Sequence, residues 1–262
     1  MCSKFLPLSS SRIQTYTKCP KMFQYRYIKK VDEEFISVEA FAGRVVHKTL
    51  YDFFSSLEEK KAPKVLNLLK VAKKNWEEGL KESSSIKVIT YPKKIKQWEL
   101  NTYKLIENFY WDNYPFRKIE KSYFEKEINF KLDELIDVRC FVDKLFIYPD
   151  GTVEVFDYKT GRRKPPESLE DDMQAAIYTM ALKDRFPNSK VKAIWHFLLY
   201  KKKVEREFSD KELQIWKEKI GLIYDDICNE RDWNAKTSKL CSWCGYNKSC
   251  LEGNEYINGK KK

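Results

Sequence analysis

Two textures divide the chain. From residue 9 to about 115, apolar side chains recur every three or four positions. From about 119 to 208 they alternate, or run together in short stretches bounded by turn residues. The first pattern predicts amphipathic helices and the second predicts strands. In 9–30, Ile13, Tyr16, Phe23 and Tyr27 keep helical spacing behind a serine cap, and Pro20 splits the segment into two short helices. Val46, Leu50, Phe53, Phe54 and Leu57 form the inward stripe of a helix over 39–60. Further helices are predicted over 63–82 and 95–115, with a loop at Ser83-Ser84-Ser85. A strand is expected over 119–132. Ser168 is expected to cap a helix running to about Phe186, with acids in its first turn. A mostly buried strand (190–200), a short strand (203–208) and a helix (209–232) follow. Neither a repeat nor a linker interrupts this order. The reading is a single α/β domain over 1–262: a small mixed β-sheet flanked by helices, with a helical insertion at about 60–118.

One hairpin carries chemistry. In CFVDKLFIYPDGTVEVFDYKTGR (140–162), two strand-like runs flank Tyr-Pro-Asp-Gly. Pro149 and Asp150 suit the centre of a type I turn, and Gly151 suits the left-handed position after it. This loop pairs Tyr148 with Thr152, so Asp143 falls opposite Asp157, and Lys159 shares the Asp157 face. Facing carboxylates about 5 Å apart repel unless a proton or cation lies between them. A divalent metal beside a lysine accounts for the pattern; ordinary surface charges are the other account. Leu145, Ile147, Val153 and Val155 share that face, and charges at the end of a buried face need a reason.

Composition narrows the partners. The 262 residues are 42% hydrophobic, enough for a sizeable core, and the formal net charge of +11 points to a polyanion, most simply nucleic acid. No apolar run is long enough to span a membrane, and MCSKFLPLSSSR is a poor signal peptide, so an intracellular, cytoplasmic protein is expected. Seven cysteines without a signal peptide argue against a disulfide framework. Cys241-x-x-Cys244 and Cys250 offer three thiolates, and Cys19 a fourth; four thiolates suit zinc or an iron–sulfur cluster alike. Cys140, on the hairpin face opposite the acids, and Cys228 read as small core residues, and Cys2 as free. His196, in an apolar strand, reads as structural.

Asp143 in FVDKL, followed by Asp157 and Lys159 in VFDYKTG, resembles the active-site signature of the PD-(D/E)XK nuclease superfamily, most closely its RecB-like branch. SSSRIQTYTKCPKMFQYRYI (9–28) resembles that branch's N-terminal helix with its Cys-Pro. GRVVHKTL (43–50) resembles its Gly-x-x-x-His motif, and QAAIY (174–178) its Gln-x-x-x-Tyr motif. The five motifs cover most of the chain outside the insertion.

The resemblance implies a restriction-endonuclease-like core and a metal-dependent DNA nuclease, in first place an exonuclease on single strands or frayed ends. His47, Asp143, Asp157 and the Tyr158 carbonyl would hold Mg²⁺ or Mn²⁺. Asp143, Asp157, Lys159 and Gln174 would be catalytic. One cysteine near the start and three near the end resemble the layout of AddB-type and CRISPR-associated nucleases, which implies a [4Fe-4S] cluster on Cys19, Cys241, Cys244 and Cys250, with structural Zn²⁺ as the alternative. Tyr178, Arg162, Arg163 and Lys164 are candidate DNA contacts, as are Lys201–Lys203 and the rings of Tyr25, Tyr27 and Trp243. Lys260–Lys262 read as a disordered tail. No Gly-x-x-x-x-Gly-Lys-Ser/Thr phosphate loop occurs, so action on duplex ends needs a helicase or another recombination or CRISPR partner. The rival reading is a non-catalytic DNA-binding subunit that keeps the fold.

Overall fold

The computed structural model describes residues 7–55, 64–83, 85–116 and 121–259. Helix α1 (Ser10–Lys18) is capped by Ser9, whose hydroxyl accepts from the Arg12 amide. Pro20 opens α2 (Pro20–Phe23), where a missing N–H costs nothing, and a π-helical turn follows at Gln24–Ile28. The short strand β1 (Ile36–Ser37) leads into α3 (Val38–Ser55). Then come α4 (Val65–Glu82), β2 (Ile86–Lys87), which pairs in parallel with β1, and α5 (Ile95–Asn113). Four expectations fall wholly or partly outside the described residues: the helix end at 56–60 with Leu57, the loop at Ser84, the strand start at 119–120, and Lys260–Lys262. Cys2 lies outside them too.

The main sheet has the order β3 (Lys121–Lys131), β4 (Asp137–Ile147), β5 (Val153–Lys159), β6 (Val191–Phe197), β7 (Lys202–Arg206). It is mixed, because α6 (Met173–Arg185) connects β5 to a parallel β6 while the other neighbours are antiparallel. Leu8 bridges to Val138 at the end of β4 that β5 does not reach, which satisfies backbone groups there. Helix α7 (Asp210–Asn229), opened by a Ser209–Glu212 capping box, a 3₁₀ turn at Lys239–Trp243 and α8 (Leu251–Gly259) complete the fold.

Both faces of the sheet are covered. Ile177, Leu182, Ile220 and Ile227 from α6 and α7 pack with Val153, Val155 and Trp195 on one side. Val46, Leu50, Phe53, Leu68, Ile106 and Phe109 from α3, α4 and α5 pack with Tyr158 and Leu198 on the other. The insertion therefore builds the second layer.

Three expectations need correction. Helix α6 starts at Met173, not near Ser168: Asp172 caps it, accepting from Ala175 N–H and from the Trp195 indole. Ser168 instead accepts from the Glu170 amide in the preceding turn, which leaves Glu170 and Asp171 ahead of the helix. Cys140 packs in the same cluster as Leu145, Val153 and Val155. The alternation of β4 changes phase near Asp143, since Val138, Cys140, Val142 and then Leu145 all face one core. Cys228 is half-buried and disulfide-bonded rather than a core thiol.

Lys144, beside that phase change, is buried with its Nζ 4.1 Å from the Phe146 ring centre and 5.2 Å from those of Phe54 and Phe156. Burial pushes its pKa down from 10.5 to about 7, with Lys203 adding repulsion. The rings offset only part of the cost of an ammonium there. Lys144→Met is expected to stabilise the metal-free protein by roughly 1–4 kcal/mol at neutral pH in chemical unfolding. The folded-state pKa lies below the unfolded one, so the wild-type penalty is full below about 7 and fades toward 10.5. The advantage of the variant must shrink over that range; a constant difference would contradict the assignment.

Candidate active site

The Pro149–Asp150 turn carries Gly151 at φ 83°, and Tyr148 N–H donates to Thr152 O at 2.9 Å. The expected register follows, since the ladder runs from Ile147–Val153 to Lys144–Phe156. The next position outward holds Asp143 and Asp157. There the strands part, and Asp143 Oδ2 accepts the Tyr158 amide at 2.7 Å.

The other neighbour of β4 contributes a residue that sequence reasoning missed. The β3–β4 register places Glu125 opposite Asp143, between the pairs Phe124–Lys144 and Lys126–Val142. Glu125 has φ 45°, a left-handed conformation uncommon outside glycine, which breaks the ladder at this one step. The signal was available. Leu132 N–H bonds to Ile136 O, and counting outward from that turn pairs 125 with 143.

His47 arrives from α3. Its Nδ1 lies 3.0 Å from Asp143 Oδ1. One helical turn earlier, Gly43 lies against the loop after β5: a Cβ there would stand 3.2 Å from Thr160 Oγ1. A side chain at 43 would need Thr160 or α3 to give by a few tenths of an ångström. Burial opposes charge on the His47 ring, but the hydrogen bond and charge of Asp143, with Asp157 and Glu125, outweigh it and lift the pKa to about 9. Burial and Asp143 also raise the Glu125 pKa, against His47. Ligand atoms of His47, Glu125 and Asp143 all lie within 4.8 Å of one another, close enough for one ion bonded at about 2 Å. One imidazole and carboxylate oxygens make a donor set suited to Mg²⁺ or Mn²⁺.

Asp157 is 6% exposed. Burial raises its pKa; Lys159 opposes that shift and Asp143 reinforces it. Lys159 Nζ lies 2.7 Å from Asp157 Oδ2 and donates to Gln174 Oε1 at 2.9 Å. Gln174 Nε2 donates to Asp157 Oδ1 at 2.7 Å and to the Tyr178 hydroxyl at 2.8 Å. Gln174 thus bonds both members of the ion pair and holds Lys159 in one orientation. Tyr178 is 3% exposed, its hydroxyl donating to Phe141 O. This corrects the expected DNA contact: a ring sealed between α6, β4 and Trp195 cannot stack on a base.

Arg162, Arg163 and Lys164 are exposed just beyond Lys159. Lys201 sits in the β6–β7 turn, but Lys202 and Lys203 belong to β7. Tyr25, Tyr27 and Trp243 are partly buried and have internal partners: Ser249 O and the Tyr246 ring, Phe23 and Arg12, and Glu39 respectively. His196 is 1% exposed, with Nε2 3.0 Å from Asp112 Oδ2. Burial lowers its pKa to about 4, so the neutral ring donates from Nε2.

Cys19, Cys241, Cys244 and Cys250 line one cavity of about 70 Å³, all as free thiols. The amides of Ser238 and Gly253 point at Cys241 Sγ and Cys250 Sγ. A Cβ at Gly253 would lie 3.3 Å from Cys250 Sγ and 3.9 Å from Cys241 Sγ, so that glycine leaves the cavity open. The cysteine segment is joined to the strand leading into α3: Glu34 N–H donates to Gly245 O, and Ser249 donates to Glu34 Oε1.

A model of the PD-(D/E)XK nuclease superfamily matches residues 7–251. No curated protein sequence matches the chain. Among solved structures, it is similar to "Crystal structure of SSO0001", at 14% identity over 82% of this chain and 97% of that one, with a TM-score of 0.39. So low a score adds no argument to the family match.

Proposed function

The chain belongs to the PD-(D/E)XK nuclease superfamily, and on that premise we propose that it is a metal-dependent DNA exonuclease acting on single strands or frayed ends. The observation that carries the reading is the set Asp143, Asp157 and Lys159, with His47 on the first acid and Gln174 on the other two. His47, Asp143, Asp157 and the Tyr158 carbonyl are the proposed ligands of Mg²⁺ or Mn²⁺; Glu125, grouped with His47 and Asp143, joins the proposal. Such an ion, when bound, supplies positive charge against the phosphoryl oxygens and acidifies water. Lys159, aimed by Gln174, directs the attacking water and offsets charge developing on the phosphate. Asp157 holds the Lys159 Nζ close, 2.7 Å from its Oδ2. His47 is protonated against Asp143 when no ion is present, so ion binding releases that proton.

Cys19, Cys241, Cys244 and Cys250 are the proposed ligands of a [4Fe-4S] cluster with a structural role, with structural Zn²⁺ as the alternative; that all four line one cavity as free thiols supports a shared site. An intracellular protein of phage replication, DNA repair, recombination or CRISPR adaptation fits these parts. Among the described residues no helix is long and apolar enough to cross a membrane.

The test is a time course on 5′- and 3′-labelled single-stranded oligonucleotides with Mn²⁺. Progressive shortening from one end, with a circular single strand untouched, is expected. Cutting of the circle would replace the exonuclease reading by an endonuclease one, and no cutting of any DNA would remove it.

A further inference from the structure

The segment leaving β5 is held from three sides. Thr160 packs on Gly43 of α3. Arg162 O accepts the Tyr200 hydroxyl at 2.6 Å from the β6–β7 turn. The Arg162 guanidinium stacks 4.9 Å from the ring of Trp98, in the first turn of α5. Trp98 itself is 7% exposed, and its indole N–H donates to Pro92 O at 2.8 Å, so the ring has one orientation.

A guanidinium held over an indole is drawn to the ring by its charge, and the N–H donors that point away from the ring stay free. Arg162 is exposed, and its side chain has no acidic or hydrogen-bonding partner among the described residues. A fixed, unneutralised fork of donors three residues from Lys159 is matched to a phosphate. Three residues of chain span at most about 10 Å, which keeps the Arg162 backbone beside the site and directs its side chain to a flanking phosphate. We propose that Arg162 grips a flanking phosphate of the substrate strand and that Trp98, from the helical insertion, is the positioning residue that aims it. The inference deepens the nuclease reading and rests on it. It also gives the insertion a part in substrate placement besides covering the sheet.

The experiment compares the full-length wild type with Arg162→Ala, Arg162→Lys, Trp98→Leu and Trp98→Phe. Cleavage of a labelled single strand with Mn²⁺ gives kcat and KM, and anisotropy of the same labelled strand without divalent ions gives affinity against salt. Arg162→Ala is expected to raise KM roughly tenfold with kcat nearly unchanged, and to flatten the logarithmic salt dependence by about 0.7, one phosphate on a single strand. Trp98→Leu should reproduce both changes in part. Trp98→Phe, which keeps an aromatic face, should restore them toward wild type. Arg162→Lys should stay impaired, because an ammonium cannot lie flat as a fork. A salt slope unchanged by Arg162→Ala, in a wild type that cleaves DNA, overturns the phosphate grip and spares the nuclease. Trp98 variants that melt like wild type and keep its KM overturn the positioning role. If Trp98→Leu does not fold, Trp98→Phe and the surface change Arg162→Ala still decide. A wild type that neither binds nor cuts DNA defeats the nuclease reading and this inference with it.

Discussion

Asp157→Asn and Lys159→Met are each expected to lower kcat for cleavage of single-stranded DNA by about 10³-fold or more, in proteins that remain folded. The geometry separates these two demands. Asparagine at 157 keeps an Oδ1 that still accepts from Gln174 Nε2, and Lys159 keeps Gln174 Oε1 as an acceptor. What disappears is the one buried carboxylate charge of the site, and with it part of the affinity for a divalent ion. Asp157 is destabilised as an anion by its burial and by Asp143. Neutralising it relieves that repulsion while it costs the pair with Lys159. Lys159 is 29% exposed and Gln174 still bonds both positions, so the metal-free variant should lose less than the roughly 3–5 kcal/mol that follows removal of one partner of a fully buried pair. Lys159→Met keeps the aliphatic stem against Trp195 but removes the ammonium that lies 4.9 Å from that ring. A large loss of activity at little cost in stability marks a catalytic constellation; a structural ion pair would show the reverse. Undiminished cleavage by both variants would sink the assignment.

The second large effect is expected at the cysteines. Cys244→Ser should abolish absorbance near 400 nm in anaerobically purified protein and lower stability by about 4 kcal/mol or more, the scale for opening a very long closed loop. Cys19 and Cys241 stand at opposite ends of the chain, so a shared cluster closes nearly all of it. Weaker contacts repeat the connection: Lys21 pairs with Glu252, Tyr25 donates to Ser249 O, and Lys236 donates to Thr17 O. These contacts alone are exposed or half-exposed and small in energy. Because Glu34 binds Gly245 and Ser249 just ahead of α3, loosening the ends should also reach the helix that carries His47. Equal stability of Cys244→Ser and wild type would refute the clasp. A colourless wild type holding one equivalent of zinc would replace the iron–sulfur assignment and leave the nuclease unaffected.

Local rules were sufficient where one turn or one helix face decides the outcome. Tyr-Pro-Asp-Gly sets its own register, and that register alone puts Asp143 level with Asp157 and puts Lys159 on the Asp157 face. The break at Pro20, the stripe of α3 and the Gln174–Tyr178 helix are equally local. Local rules failed where a distant partner intervened. Trp195 draws Asp172 into the cap of α6, moving the helix start away from Ser168. Tyr178, polar at its tip and on a face shared with Gln174, is drawn inward rather than toward DNA because Phe141 O accepts its hydroxyl.

The sequence by itself determined the candidate residues: two acids and a lysine ordered by one hairpin, a histidine one turn after a glycine, and four cysteines at the two ends. Those facts follow from residue type and from periods of two and 3.6, which act over a few residues. Only the tertiary structure decided how they meet. The phase change of β4 at Asp143, the left-handed Glu125 across from it, and Trp98 beneath Arg162 arise between segments far apart in the chain. Such pairings are selected by burial and by hydrogen bonds that must be satisfied across the whole core, and no local window contains both partners.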